Sequence, residues 1–207
     1  MKYIFIAGAP GSKWSSVTKN IYFSPNVDNS DYSDTRTYYH DASGTMDLMH
    51  LGVYFDPGME FELPEYLTDL SKEDAEKMFD RPFSDIGVRI VKSHIFSYTE
   101  NIEYLRKNWP ECPIVLVHRP DDACLGWWVK CGHFDITYPL YHDYYKDLRT
   151  MAKIIKQQND GITKAMLKYS GKTPLTNHGL CKMLNIQLPP EQYYQDYGRS
   201  DVRVTVI

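Results

Sequence analysis

Three short apolar runs, Lys2 to Ala7, Val88 to Lys92 and Pro113 to His118, each end at a turn and lead into a stretch of helical period. Strand, turn and helix repeated in that order predict parallel strands joined by crossover helices. The expected fold is α/β, a three-layer α/β/α sandwich around a central parallel sheet. Val17 and Ile21 mark a helix from Trp14 to Phe23. Ser97 with Glu100 signals the start of another, whose apolar face is Ile102, Leu105 and Trp109. Asp121 or Asp122 is expected to cap a third, ACLGWWVKC, closed by Gly132. Tyr141, Tyr144, Leu148, Met151 and Ile155 predict a longer helix from about Leu140 to Gln158. A shorter one covers Gly179 to Asn185 and stops before Pro189 and Pro190.

Between the first two runs, residues 24–86 read as a loop-rich acidic insertion. Their one clear helix is LSKEDAEKMF, with Ser71 as cap and Asp74 three residues on. From Asn20 to Gly87 the chain carries 15 Asp and Glu against 4 Lys and Arg, whereas the remainder carries 12 acids and 19 bases. An acidic flap on a basic framework suits an anion held by the framework, and a solvated insertion suits the same numbers. A length of 207 residues fits one domain, 1–207, better than two cores. No polybasic run argues for nucleic acid or a membrane surface, and no apolar run reaches the roughly 20 residues of a span. MKYIFIAGAPGS is too short in its apolar part for a signal peptide and reads as a buried strand. Cys112, Cys124, Cys131 and Cys181 form no CxxC pair, so free thiols and a cytoplasmic location are expected.

In a parallel sheet, ligands bind beyond the carboxyl ends of the strands. Those ends here are GAPGSKWSS, KSH and HRPDD. The first joins a strand to a helix, where free backbone N–H groups and the helix dipole favour a phosphate. Gly8 and Gly11 permit a tight bend, Ser12, Ser15 and Ser16 add hydroxyls, and Lys13 adds charge; a ligand-free tight turn is the plainer reading. A nucleoside-triphosphate loop places its lysine six positions after the first glycine and follows it with a magnesium-binding Ser or Thr. Lys13 stands five after Gly8, Trp14 follows it, and the third run ends in His118-Arg119 without an aspartate. A cradle without metal is what remains. In KSH, Lys92 and His94 are two apart in extended chain and point to one side. Histidine suits proton transfer near neutral pH, and a neighbouring lysine suits charge on a leaving oxygen. Arg119 can grip a phosphate bidentately or pair with Asp121 or Asp122.

Taken in order, these motifs resemble the sulfotransferases that use PAPS (3′-phosphoadenosine 5′-phosphosulfate), a family related in fold to P-loop nucleotide-binding proteins. Its P-K-S-G-T-T-W loop is matched by Pro10-Gly11-Ser12-Lys13-Trp14-Ser15-Ser16, and its K-[TS]-H strand end by Lys92-Ser93-His94. Its R-x-P-x-D strand end and following aromatic helix are matched by Arg119, Pro120, Asp122, Trp127 and Trp128. LCKMLNIQLPPE, Leu180 to Glu191, resembles its late helix. Gly11 stands where the family has its basic residue, Lys13 where it has glycine, and Gly126 where it has the helix serine that contacts the 3′-phosphate. Arg199, in YGRSDVR, is the nearest substitute for its closing R-K-G.

The resemblance implies transfer of a sulfuryl group from PAPS to an acceptor hydroxyl or amine on a small molecule or carbohydrate, with no metal. His94 would take the acceptor's proton, and Lys13 with Lys92 would neutralise the departing oxygen. The N–H groups of Ser12 to Ser16 would hold the 5′-phosphate and Arg119 the 3′-phosphate, with Pro10, Gly11 and Arg199 completing the nucleotide site. Trp14 or a neighbouring aromatic would stack on adenine, and the insertion would form an acceptor pocket or lid. A P-loop kinase or NTPase, and a nucleotide-binding protein without catalysis on the same scaffold, are the competing readings.

Overall fold

A computed structural model of the chain describes residues 1–31, 51–130, 143–191 and 201–207. Strand β1 (Tyr3–Gly8) is followed by helix α1 (Trp14–Tyr22) and a two-residue strand β2 (Val27–Asp28). Then come α2 (Lys72–Asp80), β3 (Val88–Lys92), α3 (Thr99–Asn108), β4 (Ile114–His118) and α4 (Asp121–Lys130). The chain closes with α5 (Leu148–Lys168), α6 (Asn177–Met183) and β5 (Arg203–Val206). The five strands lie in the order β2-β3-β1-β4-β5. β1 pairs in parallel with both β3 and β4, and β2 pairs in parallel with β3. β5 runs antiparallel to β4, with Val115 opposite Val206, so the sheet is mostly rather than wholly parallel.

Every residue of β1 is buried because the strand is central and covered on both faces. Ile4 and Ile6 point into a core with α1, α4 and the first half of α5 (Val17, Ile21, Cys124, Trp128, Met151, Ile155). Tyr3, Phe5 and Ala7 point the other way, against Phe79 of α2, Ile102 and Leu105 of α3, and Ile162 of α5. Phe79 meets Tyr3, Phe5 and Phe96 edge-on at centroid distances of 5.5 to 6.1 Å. Each such pair adds about 0.5–1.5 kcal/mol beyond its buried area.

The insertion departs from a solvated flap. Val53, Phe55, Leu63, Leu67, Ala75, Phe79 and Phe83 supply much of the second core. Several of its acids are committed to structure. Asp28, Asp31 and Asp56 are buried, and Asp80 accepts hydrogen bonds from Lys2 (2.7 Å), Tyr3 (2.8 Å) and Arg89 (2.5 Å). The Ser71 cap forms as expected, accepting from the Asp74 N–H.

Other boundaries move for identifiable reasons. Ser97 does not cap α3: residues His94–Ser97 form a 3-10 turn, and Tyr98 occupies the cap position. Neither Asp121 nor Asp122 caps α4; both lie in its first turn, and Pro120 accepts the Cys124 N–H ahead of it. Gly132 and Tyr141 lie outside the described residues. The long helix starts later and ends later than its pattern indicates. Lys146 takes a left-handed φ of 55°, and Asp147 then caps α5 by accepting from the Thr150 N–H. Gly161 is required inside α5: a Cβ there would lie 2.1 Å from the Ser97 carbonyl oxygen.

Candidate functional site

The carboxyl ends of β1, β3 and β4 are neighbours in the sheet, so the three turns that follow them meet around the loop from Gly8 to Lys13. His94 Nδ1 lies 2.5 Å from the Gly8 carbonyl, and Arg119 donates to the Gly11 carbonyl at 3.1 Å. Lys13 Nζ sits 5.0 Å from the Trp127 ring centre, and the Arg119 guanidinium 6.0 Å from the same ring. Lys130 approaches that half-buried indole as well, at 5.9 Å. The sequence-derived residues from all three strand ends are therefore brought together.

Two residues set the loop's shape. Gly11 has φ 82°, and a Cβ on it would fall 2.2 Å from the backbone oxygen of Cys124 in α4. No side chain fits at Gly11, so a cation on this loop has to stand elsewhere, and Lys13 stands two positions on. Lys13 has φ 65°, a conformation that glycine adopts freely and other residues reach at about 1–2 kcal/mol. It is the N-terminal boundary residue of α1, which no side chain caps. Pro10 and Ser12 are buried. Among the described residues the Ser12 hydroxyl has no hydrogen-bond partner, and the Ser12 N–H closes a turn onto the Ala9 carbonyl. Ser15 shares a 2.8 Å hydrogen bond with the Tyr54 hydroxyl, and Ser16 is half-buried.

Trp14 takes a different role from adenine stacking. Only 3% exposed, it lies 4.1 Å from the His94 ring in a stacked arrangement and edge-on to Tyr54. Trp127 is the indole next to the cations. Lys92 is 2% exposed, its Nζ 4.9 Å from the Tyr54 ring centre and 5.9 Å from that of Tyr22. Tyr54 thus lies beside both Lys92 and His94.

His94 itself is 3% exposed. Because the Gly8 carbonyl can only accept, Nδ1 carries the ring's proton and Nε2 holds the lone pair. Burial pushes its pKa below the ordinary histidine value, while Asp56 and the Gly8 carbonyl oppose that shift. The ring is then neutral at pH 7, as a proton acceptor must be. Asp56, in the insertion, went unrecognised in the sequence. Its Oδ1 accepts from the Ser93 hydroxyl and from the His94 N–H, both at 2.6 Å, and its Oδ2 lies 3.9 Å from His94 Nε2. No motif marks it, since it sits 38 residues before His94.

Arg119 pairs with neither Asp121 nor Asp122. Its guanidinium meets Asp201, just before β5, at 2.6 and 2.7 Å. Asp121 instead accepts from Asn159 of α5. Hydrogen bonding from Arg119 holds the Asp201 carboxyl below the usual range, with the charges of Arg119 and Lys13 adding to it. Gly126 faces open space, with no heavy atom within 4 Å of a Cβ built there. Arg199 lies outside the described residues. Among those residues no cluster of His, Cys, Asp and Glu could hold a metal, and no helix is long and apolar enough to cross a membrane. Cys112, Cys124 and Cys181 are free and buried. No protein-family model, no curated protein and no solved structure matches the chain.

Proposed function

We propose that the chain is a sulfotransferase on a P-loop-like α/β scaffold, moving a sulfuryl group from PAPS to an acceptor hydroxyl or amine. The observation that carries this reading is the meeting of Lys13, His94 and Arg119, each from a different strand end, around one loop at the start of α1. Lys13 adds support. It holds the left-handed conformation at the position where the resembling family has glycine. The acceptor's oxygen or nitrogen attacks sulfur, the bond from sulfur to the bridging phosphate oxygen breaks, and that oxygen leaves with the electron pair on PAP, the desulfated donor. His94 Nε2 takes the acceptor's proton. Lys13 and Lys92 offset charge on the leaving oxygen, and the N–H groups at the start of α1 hold the 5′-phosphate. Arg119 exchanges Asp201 for the 3′-phosphate, and Trp127 offers adenine a flat face. The acceptor reaches Nε2 once the Tyr54 ring, edge-on to His94, shifts. Release of PAP from PAPS, followed by mass spectrometry over a panel of sugars, phenols and amines, is expected to rise with one acceptor class. No release with any class counts against the assignment.

A nucleotide-binding protein without catalysis is favoured by one pair of observations, the Arg119–Asp201 ion pair and the bare Gly126 position. The kinase reading has the buried Trp14 where a magnesium-binding hydroxyl belongs. Thermal shift with PAP, ATP and GTP, with and without magnesium, separates the kinase from the other two, which PAP release distinguishes. Stabilisation of several degrees by PAP in either buffer is expected. Stabilisation by ATP with magnesium alone would favour the kinase instead.

A further inference from the structure

A buried polar cluster next to the loop is built around Asp56. This carboxylate is fully buried, yet among the described residues only one of its oxygens is satisfied: Oδ1 accepts two short hydrogen bonds and Oδ2 accepts none. A buried carboxylate oxygen left without a donor is costly. The group facing it is His94 Nε2, at 3.9 Å. Nδ1 is already committed as donor to Gly8, so a second proton on this ring can arrive only at Nε2. That proton supplies the donor that Oδ2 lacks.

From this geometry we propose that Asp56 is the positioning residue of His94. It fixes the backbone at the end of β3 through Oδ1 and receives the imidazolium through Oδ2. The role within catalysis rests on the sulfotransferase reading; the pairing does not. An acceptor hydroxyl has one proton, which it donates to Nε2, and Oδ2 lies 3.9 Å from that nitrogen. The proton passes to Nε2, and the charge that appears on the ring is met at once by the carboxylate. Other titratable groups around the ring are Tyr54, edge-on at 6.4 Å, and Lys92, whose Nζ lies over Tyr54. β1 contributes the Gly8 carbonyl and α1 the Trp14 ring, neither of which titrates here.

Nuclear magnetic resonance of ¹⁵N-labelled histidine, with His94 assigned by its absence in His94→Asn, tests the pairing. In the wild-type chain the ring is expected to carry its proton on Nδ1 at pH 7 and to titrate below the ordinary histidine value, because it is buried. Asp56→Asn keeps an oxygen for Ser93 and for the His94 N–H but places an amide against Nε2. Its His94 midpoint is expected to fall by about one pH unit or more, a tenfold loss of proton affinity. Turnover is expected to fall about tenfold with PAP affinity unchanged. A folded Asp56→Asn chain with an unmoved midpoint overturns the proposal. So does a wild-type ring protonated on Nε2 at pH 7, an outcome that needs no variant to fold. If the wild-type chain binds no PAP, the sulfotransferase reading fails while the resonance result still decides the pairing.

Discussion

Replacing His94 by Asn is expected to cut sulfuryl transfer by about 10²- to 10⁴-fold, the usual worth of a positioned general base. The choice of Asn follows from the geometry. Its side-chain amide can still donate to the Gly8 carbonyl, as Nδ1 does now, but nothing stands where Nε2 was. PAP affinity should therefore stay within a few-fold of wild type. His94→Ala is a poorer probe, because it also leaves the buried Gly8 carbonyl without its donor, at about 1–3 kcal/mol. Steady-state turnover alongside PAP titration checks the expectation. Near-normal turnover in a folded His94→Asn chain would remove the histidine from the chemistry.

The largest effect on stability is expected at Gly11. Gly11→Ala demands a left-handed backbone from a residue that resists it, about 1–2 kcal/mol, and sets a methyl group 2.2 Å from the Cys124 carbonyl oxygen. Both clashing parts are anchored to backbone, so no rotamer change relieves them, and overpacking of this kind adds about 1–3 kcal/mol. A total of about 2–5 kcal/mol corresponds to a fall in Tm on the order of 10 °C for a chain this long. Gly8→Ala is the control. Its Cβ would meet the Ser12 hydroxyl at 2.6 Å, a group that can rotate, and a smaller loss is expected. Calorimetric melting of the two variants distinguishes them, and a Gly11→Ala chain that melts with the wild type would contradict the account of the loop.

The resemblance puts a basic residue at the position of Gly11. Physically, the approach of α4 leaves no room for one, and Lys13 carries the cation from a strained position instead. That substitution of place was readable only as a mismatch in the sequence. Its cause, the Cys124 carbonyl, belongs to a helix that begins 110 residues later. β1, β3 and β4 were legible because central strands covered on both faces are continuous apolar runs. β5 went unread although Val204, Thr205 and Val206 are β-branched, since a four-residue edge strand gives a weak signal. α5 continues past Gln158 to Lys168, and Gly161 lets it press against the Ser97 carbonyl.

Side-chain partners were the least legible level. Arg119 could be placed at the end of β4 from its motif, but Asp201 lies 82 residues away and reaches it only because β5 returns beside β4. Asp56 depends likewise on the insertion folding back over β3, where the Phe55 N–H donates to the Lys92 carbonyl at 3.2 Å. Trp14 carries an apolar surface that suits adenine as well as it suits a histidine ring, and sequence alone does not separate the two. Stacking on His94 buries it.

The proposed site uses side chains from three strand ends to hold a doubly phosphorylated adenosine without a metal ion. Isothermal calorimetry of PAP against the wild-type chain and Arg119→Ala, both in EDTA, tests it most directly. One site per chain is expected in the wild type and at least about tenfold weaker binding in the variant, the loss of one charge-assisted pair. Absence of binding in EDTA, or equal affinity in the two chains, would contradict it.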